Sequence, residues 1–425
     1  MLSAILFIFY FILLSLALTA WAKKTQISIS SGTIAAIYAY KVMFGCLYGY
    51  IFLKFYRGDD TWMYHRESLT EYQKLIHHPV NFLKDFLPYS AFSASHNFWE
   101  GIQFYIQDLE YWIMIKLLAL FNIFSRGNYY IEVVFFDFVT ATGLLLLYKL
   151  LVGVFDRKKI MLIAILFFLP LTTFWLSGIR AEGLLLLFIT TILYYTDKWF
   201  NGQKKIVYLI YIMLGLAGCF IFRTQLLIVF VPAFFCMTIS WRNTTKSIYY
   251  FSGIYFMCIA VFFMGIFISP EKNLSMTVIK RQQEFFKLRG TSFKLDSLQP
   301  SVASFIKIAP QAFSNTFLRP FIWEAKGFLQ LLTAIDIIFF WALLLISFFF
   351  HERVWRKIFQ SPLLLLFIFF GVSQIIFIGY IVPFPGAIVR YKSIPELFLF
   401  ICVIILCDPK RLTLFFRKAK QKNIQ

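Results

Sequence analysis

Charged side chains are scarce in this sequence. Asp, Glu, Lys and Arg make up 15% of its 425 residues, whereas soluble globular chains contain about 25%. Hydrophobic residues account for 60% of the chain, 55 residues are Phe, and long apolar runs recur from one end to the other. The composition therefore excludes an ordinary soluble protein and predicts an all-α, polytopic membrane protein.

Acidic residues are scarcer than basic ones. The chain has 21 Asp and Glu against 41 Lys and Arg, which gives a formal net charge of +20. Such a charge can indicate a nucleic-acid partner. Here the basic residues are spread over short loops between apolar runs, which is the orientation signal of a membrane protein. The sequence therefore predicts a lipid bilayer as surroundings and no nucleic-acid partner.

Several common signatures are missing. The sequence contains no P-loop, no glycine-rich nucleotide motif and no repeat of fixed period. Its cysteines lie within or at the ends of apolar runs and have no zinc-type spacing. We therefore expect small buried hydrophobic side chains and no disulfide framework. These cysteines are Cys46, Cys219, Cys236, Cys258, Cys402 and Cys407.

The apolar runs predict eleven membrane spans. The first run could be mistaken for a secretion signal. No basic residue precedes it, however, and Lys23 and Lys24 follow it, so we expect it to be retained. The predicted spans are 2–21, 33–55, 130–152, 160–176, 181–196, 206–222, 224–240, 248–269, 329–350, 362–382 and 392–407.

The basic residues predict the orientation of these spans. Alternation places six basic segments on one side of the membrane, and short basic segments face the cytoplasm. We therefore expect one integral domain, residues 1–425, in the inner (cytoplasmic) membrane, with the N-terminus outside and the C-terminal tail inside. The basic segments are 22–32, 153–159, 197–205, 241–247, 351–361 and 408–425.

Two long segments, 56–129 and 270–328, are predicted to lie outside. The first contains an apolar stretch, YWIMIKLLALFNIF (111–124). Counting it as a span would place the basic cluster at 157–159 outside, so we expect an interfacial helix along the outer leaflet instead. The second contains an amphipathic stretch, TVIKRQQEFFKL (277–288), which predicts another helix.

Ionisable residues collect at the predicted outer ends of the spans. They are Asp59 and Asp60 after the second span, Arg180 and Glu182 in the turn LSGIRAEG, Arg223 in FIFRTQLL, and Arg390 with Lys392 in VPFPGAIVRYKSIP. Guanidinium groups suit an anionic ligand, and a nearby carboxylate can act as a general base. The alternative is that outer loops need polar residues and that these arginines extend to lipid headgroups.

One face of the second span carries Lys41, Gly45 and Gly49, at positions i, i+4 and i+8. Two glycines at this spacing let a neighbouring helix come close. A charge within the bilayer costs at least about 2.5–3.5 kcal/mol, so it is usually retained for a reason. We therefore expect Lys41 to lie near a helix–helix interface.

Four of the five histidines lie in the first outer loop. Together with Asp59 or Asp60, one of them, His65, could bind a transition metal. The spacing matches no zinc signature, so no metal site is predicted. The four are His65, His77, His78 and His96.

The order of these features resembles that of the GT-C-fold polytopic glycosyltransferases, which use lipid-linked sugars. The similarity runs from about residue 33 to residue 407, through GDDTWMY, EYWIMIKLLALFNIF, WLSGIRAEGLLLLF and IVRYKSIPEL. The first span is extra relative to that family, and its Pro-Pro pair is absent, with only His78-Pro79 nearby. FLRPFIWEAK (317–326) and WLSGIRAEG also resemble membrane proteins of surface-polysaccharide gene clusters.

The resemblance implies inverting transfer of a sugar from a polyprenyl-phosphate carrier to an acceptor hydroxyl outside the cytoplasmic membrane. It implies that Asp59 or Asp60 is the catalytic general base. It implies that no ATP or nucleotide-sugar site is needed on the outer face, and it leaves open a divalent cation between an aspartate and the phosphate. The substrate-binding residues it suggests are Tyr64, His65, Arg180, Glu182, Arg223, Arg390 and Tyr391.

Three other functions stay open at this point. A repeat-unit polysaccharide polymerase or ligase would depend on the outer arginines more than on the two aspartates. A transporter or flippase of lipid-linked glycans would need ionisable residues at mid-membrane. A non-catalytic envelope protein would need neither. The mid-membrane candidates are Lys41, Asp137, Lys149 and Asp336.

Overall fold

The protein is helical throughout the part that the structure describes. This computed structural model describes residues 1–268, 273–288, 290–351, 358–408 and 411. These residues form no β-strand, only one isolated bridge between His351 and Cys407. The predicted all-α class is confirmed. Most of the predicted basic tail, 408–425, lies outside the described residues, as do the basic positions within 352–357.

Most of the described residues lie in α-helices. The α-helices of the described chain are α1 (Leu2–Lys24), α2 (Ser31–Tyr56), α3 (Asp59–His77), α4 (Pro79–Lys84), α5 (Tyr89–Ser93), α6 (Phe98–Ser125), α7 (Tyr129–Val154), α8 (Lys159–Phe168), α9 (Pro170–Ser177), α10 (Ala181–Phe200), α11 (Ile206–Ser240), α12 (Ser247–Ile268), α13 (Leu274–Lys287), α14 (Val302–Phe313), α15 (Phe328–Phe349), α16 (Pro362–Ile381) and α17 (Pro385–Leu406).

Seven helices in the described part of the chain are long and apolar enough to cross a membrane, or eight if α8 and α9 form one bent span. The seven are α1, α2, α7, α11, α12, α15 and α16. This set identifies a multi-pass membrane protein. The number is smaller than the eleven spans predicted from the sequence.

The smaller number has physical causes. Helices α10 and α17 have the length of a span but carry charged side chains. Helices α8 and α9 are bent by 53°, because Pro170 donates no backbone hydrogen bond and restricts the residue before it. Helix α11 counts once where two spans were predicted. It is nevertheless interrupted at Arg223, whose backbone is not helical (φ −162°, ψ 81°).

By its internal contacts the chain divides into two compact units. The first unit comprises Met1–Arg157 and Leu166–Gln225, and the second comprises Lys158–Ile165 and Leu226–Gln425. The first unit contains the two aspartates and the arginines at 180 and 223, and the second contains the arginine at 390. That the whole chain is one integral membrane domain stays a prediction.

Helix α7 packs against α1, α2 and α10 in the first unit. The two glycines of α2 allow the close approach of α7. A Cβ atom on Gly45 would lie 2.6 Å from Asp137 Oδ2, and one on Gly49 would overlap the Tyr129 ring. Lys41 is buried on the same side of α2. The predicted glycine face is therefore confirmed as a helix–helix contact that contains a lysine.

The predicted first outer loop folds into α3 to α6, with α3 packed along α6. Lys116 of α6 is buried and pairs with Glu71 of α3 at 2.7 Å and with Asp85 at 2.9 Å. Its ammonium also lies 4.1 Å from the centre of the Phe82 ring. Helix α6 includes 111–124 and is not among the candidate spans. Its interfacial position stays a prediction.

In the second unit, α16 packs along α17 and against α14. The predicted amphipathic helix at 277–288 is confirmed as α13. Gln282 fixes this helix in place, because its Nε2 donates to the carbonyls of Asp296 and Tyr380, at 3.1 and 2.9 Å. The backbone N–H of Leu298 donates to Gln282 Oε1 at 2.8 Å.

Candidate functional site

The connection between α2 and α3 has an unusual backbone. Three consecutive residues have positive φ angles: Arg57 (56°), Gly58 (106°) and Asp59 (45°). Glycine adopts this region readily, but other residues are uncommon there, and such positions concentrate at functional sites. The turn is so tight that α3 begins at Asp59, only three positions after α2 ends at Tyr56. Asp59 and Asp60 therefore occupy the first turn of α3 beside the end of a candidate span.

Both aspartates pair with one arginine. Arg180 Nη1 donates to Asp59 Oδ2, and Arg180 Nη2 donates to Asp60 Oδ2. The Arg180 side chain is only 5% exposed, whereas those of Asp59 and Asp60 are 29% and 50% exposed. The planar guanidinium has parallel donors, so one buried residue orients two carboxylates. Acidic residues are generally favourable at a helix N-terminus. That preference alone does not explain why both aspartates contact Arg180, which lies in the turn between α9 and α10.

A buried tyrosine also hydrogen-bonds the Arg180 guanidinium. Tyr48 of α2 is fully buried, and its hydroxyl accepts a hydrogen bond from Arg180 Nη1 at 3.1 Å. Gly178 makes this contact possible, since a Cβ atom there would lie 2.7 Å from the Tyr48 ring. Tyr48 is not among the site residues predicted from the sequence. Its position seven residues after Lys41, on the buried side of α2, was the available signal.

A second ion pair follows directly. Glu182 lies two residues after Arg180, and its Oε1 accepts a hydrogen bond from Arg223 Nη2 at 3.0 Å. Glu182 is buried, and Arg223 is the residue that interrupts α11. The structure thus places five predicted residues in one connected region of the first unit: Asp59, Asp60, Arg180, Glu182 and Arg223.

The two arginines of this region are not free to bind an anion, because carboxylates already contact them. Three carboxylates and two guanidinium groups leave one formal negative charge. Both arginines already contact carboxylates, so an anionic ligand would have to replace one of these contacts. A carboxylate released in this way would become available to accept a proton.

Tyr64 lies on α3, one turn after Asp60. Burial raises the pKa of its phenol to about 12, and the negative charges of Glu110 and Asp60 contribute to the rise. The phenol therefore stays neutral near pH 7, where it can donate a hydrogen bond. This agrees with the proposed contact with substrate, which itself stays a prediction.

His65 faces a different partner. Its Nδ1 lies 2.9 and 3.0 Å from the two carboxylate oxygens of Glu132, in the first turn of α7. Thr61, one turn earlier on α3, hydrogen-bonds the Tyr129 hydroxyl at 2.7 Å. This side of α3 therefore attaches the helix to α7. The role of His65 in substrate binding stays a prediction, and in the described part of the chain no three His, Cys, Asp or Glu residues are grouped as metal ligands.

A buried ion pair supports the turn that carries Arg180. Lys41 Nζ lies 3.0 Å from Asp137 Oδ1 and donates to the Leu176 carbonyl at 2.7 Å. It also donates to Ser177 Oγ at 3.3 Å. These are the last two residues of α9, three or four positions before Arg180. Lys41 therefore holds the end of α9 against α2 and α7.

Arg390 and Tyr391 belong to the second unit, near the start of α17. Arg390 Nη2 donates to the Tyr391 hydroxyl at 3.0 Å, and the guanidinium carbon lies 4.8 Å from the ring centre. Their contribution to the same site as Asp59 and Asp60 stays a prediction.

Comparison of the chain with family models, curated proteins and solved structures finds no match. The function must therefore be inferred from the chemistry of the residues in this region.

Proposed function

We propose that the protein is a membrane glycosyltransferase of cell-envelope glycan synthesis. It moves a sugar from a polyprenyl-phosphate carrier to an acceptor on the outer face of the cytoplasmic membrane. The observation that supports this most is the pair of partly exposed carboxylates, Asp59 and Asp60, oriented by the buried Arg180 beside the end of a candidate span. In this proposal the N-terminus lies outside and the C-terminus lies in the cytoplasm.

The reaction needs a base for the acceptor. We assign this role to Asp60, since its side chain is the more exposed of the two. The acceptor oxygen attacks the anomeric carbon while Asp60 takes its proton. The bond between that carbon and the phosphate oxygen breaks, and the polyprenyl phosphate leaves with the electron pair. Asp59 keeps Arg180 in position.

Arg180 would act on the leaving group. Its guanidinium is already matched by two carboxylates, so the donor phosphate binds by replacing one of them. Replacement of Asp60 would free the carboxylate that must act as base at the moment when the donor is in place. Placement of a cation against the developing negative charge also lowers the barrier. A divalent cation held by one of the aspartates would also stabilise this developing negative charge.

The transporter alternative has one structural argument in its favour, namely the charges buried within helices. In the first unit they include Lys41 and Asp137, which pair with each other and hold the end of α9. This pair has a structural role near the proposed site, so in the first unit it gives no separate support to a transporter.

The direct test is transfer itself. Membranes that contain the protein are incubated with a panel of radiolabelled polyprenyl-phosphate monosaccharides, and label is followed from the lipid fraction into acceptors. We expect transfer from at least one donor. Glu67→Gln, an exposed carboxylate on the same helix α3, serves as the matched control and should transfer normally. Elongation of lipid-linked repeats without transfer from any monosaccharide donor would support a polymerase instead.

A further inference from the structure

The second unit holds three charged side chains among apolar helices. Lys392 and Glu396 lie one turn apart on α17, and Asp336 lies on the candidate span α15. The exposed fractions of the three residues are 1%, 7% and 7%. Ionisable residues in such surroundings are costly and usually mark a functional site.

Helix α15 packs against α17, and ring contacts between them put Asp336 level with Glu396. The ring centres of Phe340 and Phe400 are 4.9 Å apart. Each of these phenylalanines follows one of the two carboxylates by four residues, about one helical turn. Asp336 interacts electrostatically with Glu396 and with Lys392.

The direction of the two helices supports this alignment. Ser347 Oγ of α15 donates to the carbonyl of Val403 of α17 at 2.8 Å. This contact lies further along both helices in the same direction as the ring contact. Because α15 and α17 run parallel, the two carboxylates face the same level of the interface.

The three charged groups differ in their hydrogen bonds. Lys392 Nζ donates to Glu396 Oε1 at 2.9 Å and lies 3.4 Å from the Thr316 carbonyl oxygen. Asp336 Oδ2 is buried and has no hydrogen-bond partner among the residues that the structure describes. One carboxylate is therefore paired, while an oxygen of the other is not.

The charges of this cluster do not cancel. With all three groups ionised, two carboxylates face one ammonium, which leaves one negative charge among apolar side chains. Such a charge is very unfavourable unless a positive species neutralises it. Within the described residues, Glu396 and Lys392 are the charged groups that act on Asp336. The described chain offers no group of three metal-ligating side chains, whereas a proton needs only one oxygen.

We propose that Asp336, Glu396 and Lys392 form a proton-binding site in which the two carboxylates hold one proton while Lys392 stays charged. The proton lies on Asp336, and Glu396 pairs with the ammonium. A site that gains and releases one proton between apolar helices is what a proton-coupled step requires. This inference does not depend on the glycosyl transfer proposed above.

Infrared spectroscopy of the purified protein in detergent tests it, because the carbonyl stretch of a neutral carboxylic acid is separate from carboxylate bands. Asp336→Asn and Glu396→Gln each leave one acid facing Lys392, so each should lose one carboxylic acid relative to wild type. Lys392→Met leaves two acids with no cation, so it should gain one. Thr333→Val, which removes a buried hydroxyl one turn from Asp336, should match wild type.

A wild-type measurement covers the case in which a variant fails to fold. The carboxylic acid band of the wild-type protein should fade as the pH rises and should be the same in sodium chloride and in choline chloride. Bands identical to wild type in folded Asp336→Asn and Glu396→Gln would overturn the proposal. A band that appears only when sodium is removed would overturn the proton in favour of a sodium ion. A wild-type band that is absent at every pH tested would also overturn it.

Discussion

Arg180 and Asp59 form an ion pair although 121 positions separate them in the sequence. The left-handed turn before α3 and the extended backbone of Arg180 (φ −153°, ψ 169°) bring the two side chains together. Asp60 contacts the other terminal nitrogen of the same guanidinium. The proposed chemistry depends on this two-donor contact, since the guanidinium of one buried residue orients both carboxylates.

Arg180→Lys should lower the rate of sugar transfer although it keeps the positive charge. An ammonium is a point charge and cannot bind two carboxylates, or a phosphate, with two parallel donors. Loss of a donor to the developing charge typically lowers kcat by about 10²–10³-fold. The rate is measured in membranes at equal protein level, with the exposed Arg242→Lys as control. An Arg180→Lys rate equal to that of the control would show that the two parallel donors of Arg180 are not required for transfer.

Gly49→Ala should destabilise the first unit, because the added Cβ atom would overlap the buried Tyr129 ring. Overpacking of this kind costs about 1–3 kcal/mol. Gly253→Ala is the matched control in α12, since nothing lies within 4 Å of its added Cβ atom. Unfolding titrations in mixed micelles should show the loss for Gly49→Ala and no loss for Gly253→Ala. Equal stabilities would contradict the close contact of α2 with α7.

Lys41→Met should lower the free energy of unfolding by about 3–5 kcal/mol, because it leaves Asp137 buried without its partner. The double variant Lys41→Met/Asp137→Leu should recover most of this loss, since apolar replacement of both members of a buried pair is often neutral. The same unfolding titration compares the two. A double variant that is no more stable than Lys41→Met would contradict the view that the unpaired Asp137 causes the loss.

Some of this site could be predicted from the sequence. Lys41, Gly45 and Gly49 stand out because glycines at helical spacing around a charge are unusual in an apolar run, and they do form a helix contact. The break at Arg223 also follows from a charge between two apolar runs. In both cases the signal is local, within one or two turns of a helix.

Other contacts depend on the angles between helices, which hydropathy does not encode. Tyr48 resembles any other aromatic residue of α2, and its contact with Arg180 arises only when Gly178 lets the turn come close. The partner of His65 is Glu132, 67 positions away, and the spacing of the histidines contains no sign of it. Among the described residues the candidate spans number seven or eight where eleven were predicted, because charged helices such as α10 are not apolar enough to be counted and α11 counts once.

The proposed orientation predicts which side of the membrane each loop faces. His96 lies in the first outer loop and Lys204 lies between α10 and α11, and both are exposed. In a protein with its native cysteines, His96→Cys should react with a membrane-impermeant reagent in intact cells. Lys204→Cys should react only after permeabilisation. Labelling of the parent protein gives the background from its native cysteines. The reverse pattern would show that the orientation is opposite to the proposed one.

The most direct test of the central claim is the initial rate of sugar transfer from polyprenyl phosphate by Asp60→Asn and Asp59→Asn in membranes at equal protein level. An amide keeps the size of the carboxylate but cannot accept the proton, so Asp60→Asn should be slower than wild type by about 10²–10⁴-fold. Asp59→Asn should lose less, because Asp60 remains to take the proton and the new amide oxygen can still accept a hydrogen bond from Arg180 Nη1. Near-wild-type rates for both variants would contradict the assignment of the base and with it the proposed function.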